Sequence, residues 1–126
     1  MWWSKALAPA LMKEASEHSR SFYEWILPPM NIYELGGFLV VEMDLAGFNK
    51  DNINVKTTPH TLTVTARREA EMDVDAVYVS QRPRRIRKVV RLPLEIDDSV
   101  EPTAKYENGV LTVKLTTKGA KRVKIE

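Results

Sequence analysis

Cysteine is absent from the 126 residues. That removes disulfide frameworks, thiolate metal sites and cysteine nucleophiles from consideration, and it suits a reducing compartment. Long apolar runs are also missing: none approaches the ~18 residues that span a bilayer. The first residues are not expected to form a secretory leader, because Lys5 follows Met1-Trp2-Trp3 and charge resumes at Lys13 and Glu14 before any apolar stretch develops. A cytoplasmic protein with no membrane requirement is expected. Charge of one sign is scarce as well. Nineteen basic residues face seventeen acidic ones, a net charge of +2, which gives no general attraction to nucleic acid or anionic lipid.

The means of catalysis are equally sparse. The two histidines are His18 and His60. They fall in different segments, and neither has a nucleophile or an acid at a spacing that suggests a relay. Asp73/Asp75 and Asp97/Asp98 lack the glycine-bearing loop of a calcium-binding hand. Gly36-Gly37 is not followed by the Gly-Lys of a phosphate-binding loop. No catalytic residue, cofactor site or metal site is expected, and the protein is read as a non-enzyme.

What is present is a three-part pattern. Over residues 1–27, Leu7, Leu11, Ala15, His18, Phe22 and Trp25/Ile26 recur at spacings of three and four, with Lys13, Glu14, Glu17, Arg20 and Glu24 mostly between them. That periodicity predicts an amphipathic helix, stopped by Pro28-Pro29. All three tryptophans lie in this arm, residues 1–28. Its apolar stripe either packs on the chain's own domain or supplies contact surface to other molecules through Trp2, Trp3, Leu7, Leu11, Phe22, Trp25 and Ile26.

Residues 29–115 read as strands. Met30–Leu35 and Phe38–Asp44 flank Gly36-Gly37, and Thr103–Glu107 and Val110–Leu115 flank Asn108-Gly109. Both dipeptides are two-residue hairpin signals. Ile53 and Val55 alternate with polar neighbours. Leu62, Val64 and Ala66 oppose Thr61, Thr63 and Thr65, while Ile86, Val90 and Leu92 oppose Arg85, Arg87 and Arg91, with Lys88 the one polar residue on the apolar side. Many short alternating strands separated by turns predict an all-β sandwich or barrel. Between two of them lies a long acidic stretch, Glu69–Pro83, whose middle, Ala76-Val77-Tyr78-Val79, has strand composition. Its carboxylates, Glu69, Glu71, Asp73 and Asp75, could neutralise Arg85, Arg87 and Arg91 on one face of the following strand. Residues 116–126 form a tail in which a polar linker, Thr116–Arg122, ends in Val123-Lys124-Ile125.

These segments resemble the α-crystallin domain of small heat-shock proteins, in the right order along the chain. Ala104 followed by Asn108-Gly109-Val110-Leu111 is similar to that family's A-x-x-x-N-G-V-L signature. Asp44-Leu45-Ala46-Gly47-Phe48 is similar to D-L-P-G-F, with alanine for proline. Leu92-Pro93 after a basic strand matches R-x-x-x-L-P. Lys88 stands where many members carry an arginine, whose guanidinium fork a lysine cannot reproduce. Val123-Lys124-Ile125 resembles the C-terminal I-x-I motif. The arm, loop and tail together look most like archaeal members. The resemblance implies an immunoglobulin-like β-sandwich acting as an ATP-independent chaperone (a holdase) on partly unfolded client proteins. It further implies a homodimer built by exchanging a strand from the loop at Val77, Tyr78 and Val79. Dimers would join into a large homo-oligomer, a shell of about two dozen subunits, through many weak links. In each link Val123 and Ile125 of one tail would dock on a neighbour's edges at Ile53, Val55, Ala104 and Tyr106. Two other classes remain open from the residues alone: an adaptor β-sandwich, marked by a monomeric state, and a nucleic-acid-binding β-domain using Arg82–Arg91, marked by salt-sensitive oligonucleotide binding.

Overall fold

A computed structural model describes residues 3–69, 73–119 and 125–126, and for residues 3–9 the backbone alone. One long helix, α1 (Trp3–Ile26), precedes seven strands: β1 (Met30–Leu35), β2 (Phe38–Asp44), β3 (Ile53–Thr57), β4 (Thr61–Arg67), β5 (Arg85–Arg91), β6 (Thr103–Glu107) and β7 (Val110–Thr116). The strands form two antiparallel sheets, a four-stranded one in the order β1-β2-β7-β6 and a three-stranded one in the order β3-β4-β5. This is the sandwich with an N-terminal helix that the alternation implied.

Alternation sets which residues meet in the middle, because a strand sends successive side chains to opposite faces. Leu39, Val41 and Met43 of β2, Leu62, Val64 and Ala66 of β4, Ile86 and Val90 of β5, and Leu111, Val113 and Leu115 of β7 are all buried in one core. The threonines of β4 and the arginines of β5 face outward. Lys88 lies opposite Val64 on the inner side and stays half-exposed.

Both expected hairpins form. Gly36 and Gly37 have φ of 60° and 84°, and Asn108 and Gly109 have 53° and 77°. Positive φ at both central residues gives the turn whose twist matches antiparallel strands. Gly109 is required twice over. A Cβ there would lie 3.0 Å from the Ala46 Cα and Cβ, because the Leu45 N–H donates to the Gly109 carbonyl at 2.7 Å and draws the two segments together. Gly109→Ala is expected to cost about 1–2 kcal/mol from the left-handed backbone alone. Thermal unfolding followed by circular dichroism should show Tm lowered by roughly 5–10 °C, whereas Gly36→Ala, which meets nothing within 4 Å, should lose only the backbone part.

The tail begins later than the residue pattern suggests. Thr116 completes β7 and its carbonyl accepts from the Asp97 N–H at 2.8 Å. Thr117 bridges Ile96, and the Lys118 N–H donates to the Glu95 carbonyl at 2.9 Å. The segment after β5 therefore fastens residues 116–118 to the sandwich, so a free linker starts no earlier than Gly119. Ala76–Val79, in turn, is not a strand within the single chain.

Candidate functional site

Three surfaces carry the functional expectations: the helix, the sheet edges and the tail. The helix docks in an unexpected way. Its contact with the sandwich runs through Ser16, Arg20 and Glu24, spaced four apart and therefore stacked on one face. Ser16 is 4% exposed; its hydroxyl donates to the Lys13 carbonyl and accepts from the Ser80 N–H at 2.8 Å. Arg20 donates to the Ser80 hydroxyl oxygen at 2.7 Å, and Arg84 donates to the same atom at 3.1 Å. One carboxylate oxygen of Glu24 accepts from the backbone N–H groups of Arg84 and Arg85 at 2.7 and 2.6 Å. The partners lie just before and at the start of β5, an edge strand whose outward N–H groups need acceptors. A polar stripe thus holds the helix. Its sequence signal is the same four-residue spacing that marks the apolar stripe, carried by polar residues instead.

The apolar residues consequently face away. Leu11, Phe22 and Ile26 are exposed, Trp25 is 79% exposed, and Met12 and Tyr23 join them. Phe22 sits 6.1 Å from Tyr23 and 6.4 Å from Trp25 between ring centroids, a tilted aromatic cluster open to solvent. Of the two readings of the stripe, packing on the chain's own domain does not hold for these residues. Trp2 lies outside the described residues, and Trp3 and Leu7 fall where only backbone is described.

The four sheet edges differ. The start of β5 is capped by Glu24. β3 and β6 turn apolar residues toward the core that the opposite sheet covers only in part. Ile53 and Val55 lie in register with buried Ala66 and Val64, and Ala104 and Tyr106 with buried Val113 and Leu111. Ile53, Val55 and Tyr106 are half-buried against the core and Ala104 is exposed. Tyr106 is pinned at its far end, its hydroxyl lying 2.6 Å from the Leu45 carbonyl oxygen and 2.9 Å from that of Phe48. β1 pairs only with β2, and its last three residues, Tyr33, Glu34 and Leu35, are exposed. The loop residues Val77, Tyr78 and Val79 are likewise exposed. In the tail, Ile125 is 93% exposed, while Val123 lies outside the described residues.

The expected neutralisation of the β5 arginines from the loop is not found. Among the described residues, Glu69, Asp73 and Asp75 make no ion pair with Arg85, Arg87 or Arg91, and Glu71 lies outside the described set. The histidines stay apart: His18 is exposed on α1 beside Glu14, and His60 lies in the turn before β4, where its carbonyl accepts from Leu92. Among the described residues no helix is long and apolar enough to cross a membrane.

Comparison with known proteins is decided by one match: the model of the Hsp20/alpha crystallin family fits residues 33–126, well over half of the chain. The chain belongs to that family. Small heat-shock proteins belong to the same family. Two solved structures of hsp14.1 from Sulfolobus solfatataricus P2 are similar throughout. A point mutant of hsp14.1 is 42% identical, covers 92% of this chain and 94% of its own, and superposes with a TM-score of 0.76. The Del-C4 mutant is 47% identical, covers 80% of this chain and 84% of its own, with a TM-score of 0.75. These archaeal structures agree with the archaeal character read from the arm, loop and tail. The 18 kDa antigen 1 of Mycobacterium avium is 32% identical over 87 residues, 68% of this chain and 58% of that protein, so the match spans little more than half of the latter's length. In this member of the Hsp20 family Ala46, in the turn before Gly47, stands against Gly109 of the hairpin, and the two motifs meet in the fold although about sixty residues separate them.

Proposed function

We propose that the protein is an ATP-independent holdase of the cytoplasm that captures partly unfolded proteins and keeps them from aggregating, without catalysing any reaction. The observation that carries this reading is the outward-facing aromatic cluster Phe22, Tyr23 and Trp25, held off the sandwich by the polar dock of Ser16, Arg20 and Glu24. An exposed apolar patch of this kind marks a contact site. Burying one such ring against a client's apolar surface contributes roughly 2–4 kcal/mol before ordering costs. A few rings per subunit, multiplied over an assembly, are enough to hold a client that displays its own apolar surface.

The dimer is proposed to form by strand exchange. With the start of β5 capped and the edges of β3 and β6 presenting apolar side chains for the tail, β1 is the edge left with unpaired backbone groups along its length. Ala76–Val79 of a partner subunit has the composition to fill it. Tails carrying Val123 and Ile125 then join dimers along β3 and β6.

Light scattering tests the activity. The full-length protein, added without nucleotide at one subunit per molecule of a heat- or reduction-denatured client, is expected to suppress most of the scattering. Phe22→Ser together with Trp25→Ser removes about 4–8 kcal/mol of burial before ordering costs and should raise the amount of protein required at least a hundredfold. No suppression by the unmodified protein across a temperature series would overturn the holdase reading.

A further inference from the structure

At the junction of α1, β4 and β5 the fold sets arginine against arginine. Arg67 lies directly opposite Arg85 in the β4–β5 register, on the outer face. Like charges facing each other across a ladder are destabilising, and among the described residues neither side chain makes an ion pair. Arg68, whose Nε donates to the Pro83 carbonyl, Arg84 and Arg20 add three more guanidinium groups. These five line a cleft of about 400 Å³ that they share with two carboxylates, Glu24 and Glu69. Among the described residues Arg20, Arg67, Arg84 and Arg85 set four positive charges against the two carboxylates in a space the size of a small ligand. A violation of a local pairing rule with no compensation from packing is a mark of function.

A second observation shows what the cleft accepts. The Arg84 and Arg85 N–H groups converge on a single carboxylate oxygen of Glu24. Two adjacent backbone donors flanked by guanidinium groups form an oxyanion seat, occupied here by a side chain of the arm itself. Next to it, the Ser80 hydroxyl oxygen takes hydrogen bonds from Arg20 and Arg84. A single carboxylate leaves most of the donors from Arg67, Arg84 and Arg85 unused, whereas a chain of phosphate groups presents enough acceptor oxygens to engage several guanidiniums at once. An extended nucleic-acid strand fits less well. It needs a row of stacking rings, and the neighbouring groove, which shares Glu24, Arg67 and Arg85 with the cleft, offers Trp25 alone.

We propose that this cleft binds a small triphosphate-bearing anion, either an inorganic phosphate chain or the tail of a nucleotide. Its phosphate groups lie among Arg20, Arg67, Arg84 and Arg85, and one oxygen takes the place of Glu24 on the two backbone N–H groups. Nothing is hydrolysed, and the test reads anion binding alone, so its failure is distinguishable from failure of the holdase reading. The test is calorimetric titration of the full-length protein with sodium tripolyphosphate at about 0.15 M ionic strength, where distant exposed charges are screened. One site per chain is expected, at least tenfold tighter than for orthophosphate. Arg67→Ala with Arg85→Ala should weaken it at least tenfold, and should a loss of circular dichroism show that this pair misfolds, Arg85→Gln alone should still weaken it severalfold. Glu24→Gln, which removes the resident negative charge, should tighten binding severalfold. The remote pair Lys56→Ala and Lys105→Ala should leave it unchanged. Titration with ATP distinguishes the sources: equal affinity assigns the inorganic chain, and tenfold tighter binding assigns a nucleotide whose base is also held. The proposal is overturned if tripolyphosphate binds no better than orthophosphate, if the remote lysine pair weakens binding as much as the arginine pair, or if Glu24→Gln weakens it.

Discussion

Deleting residues 74–79 should turn the proposed dimeric building block into monomers that keep the β-sandwich. The segment contributes no strand to its own chain and no buried side chain: Val74, Val77, Tyr78 and Val79 are all exposed. The core lies wholly in other segments, so removal should leave the circular dichroism of the sheets and the melting temperature of the sandwich nearly unchanged. Ser80 is spared deliberately, because its N–H and hydroxyl hold Ser16 and Arg20 and its loss would release the helix. Placed on the open edge of a partner's β1, the segment would gain several backbone hydrogen bonds at about 1 kcal/mol each. It would also bury two of its four large apolar side chains at about 1.5–3 kcal/mol each. After the ordering of a few residues, roughly 4–5 kcal/mol per exchanged strand remains, and a symmetric dimer has two. Loss of even one strand's share raises the dimer Kd on the order of a thousandfold. Sedimentation velocity on a background lacking residues 123–126, so that tails do not rejoin the subunits, should therefore show a monomer at micromolar concentration. A dimer that survives the deletion would mean that the subunits meet through another face, and the exposed aromatics of α1 would be the next to test.

Much of the sandwich is legible from alternation and turn chemistry, because both are local. Leu62-Thr63-Val64-Thr65-Ala66 has one workable orientation once a core exists, and Asn108-Gly109 closes one type of turn. The limits of the tail are less legible. Thr116-Thr117-Lys118 looks like linker by composition, yet backbone partners at Asp97, Ile96 and Glu95 claim all three residues. Those partners are distant in sequence and carry no pattern. The helix dock is hidden for a related reason. Hydrophobic periodicity identifies the face that avoids water, and the usual inference is that this face meets the chain's own core. Here the edge of β5 offers unpaired N–H groups and the sandwich core is already closed, so the polar stripe finds partners on the domain and the apolar one does not. A sequence reports that α1 has two faces; which of them turns inward depends on what the remainder of the fold leaves unsatisfied. The same holds for Arg67 and Arg85, which are ordinary as residues of separate strands and become neighbours only through the register of β4 and β5.

Replacing Val123 and Ile125 together by alanine should reduce a large oligomer to dimers. Gly119 is the first residue free of the sandwich, and from there to Ile125 an extended chain covers roughly 20 Å, enough to leave its own subunit and reach an adjacent one. In a strand, Val123 and Ile125 point to one side and Lys124 to the other. Ile125 is almost fully exposed in the single chain, so it has nearly its whole side-chain area to bury on docking. The proposed receiving edges supply partly covered Ile53 and Val55 on β3 and Tyr106 on β6, with exposed Ala104 beside it, and Tyr106 is already fixed by its hydroxyl contacts with the turn at Leu45 and Phe48. A receiving edge already held by its own fold would lower the ordering cost toward that of the tail alone. Two docked side chains contribute roughly 3–6 kcal/mol, and ordering the residues from Gly119 onward costs a comparable amount at about 1 kcal/mol each. A single link is therefore near balance, and the assembly depends on many links closing at once. Removing most of the apolar area from every link tips all of them together, which is why a loss of two side chains per subunit should collapse the whole assembly rather than trim it. Size-exclusion chromatography with light scattering should show dimers for the double variant, full-size oligomers for Lys124→Ala, and an unchanged melting temperature of the sandwich in both. A full-size oligomer from the double variant would shift the joining of dimers from the tail to the aromatic face of α1, where Phe22→Ser with Trp25→Ser should then dissociate it.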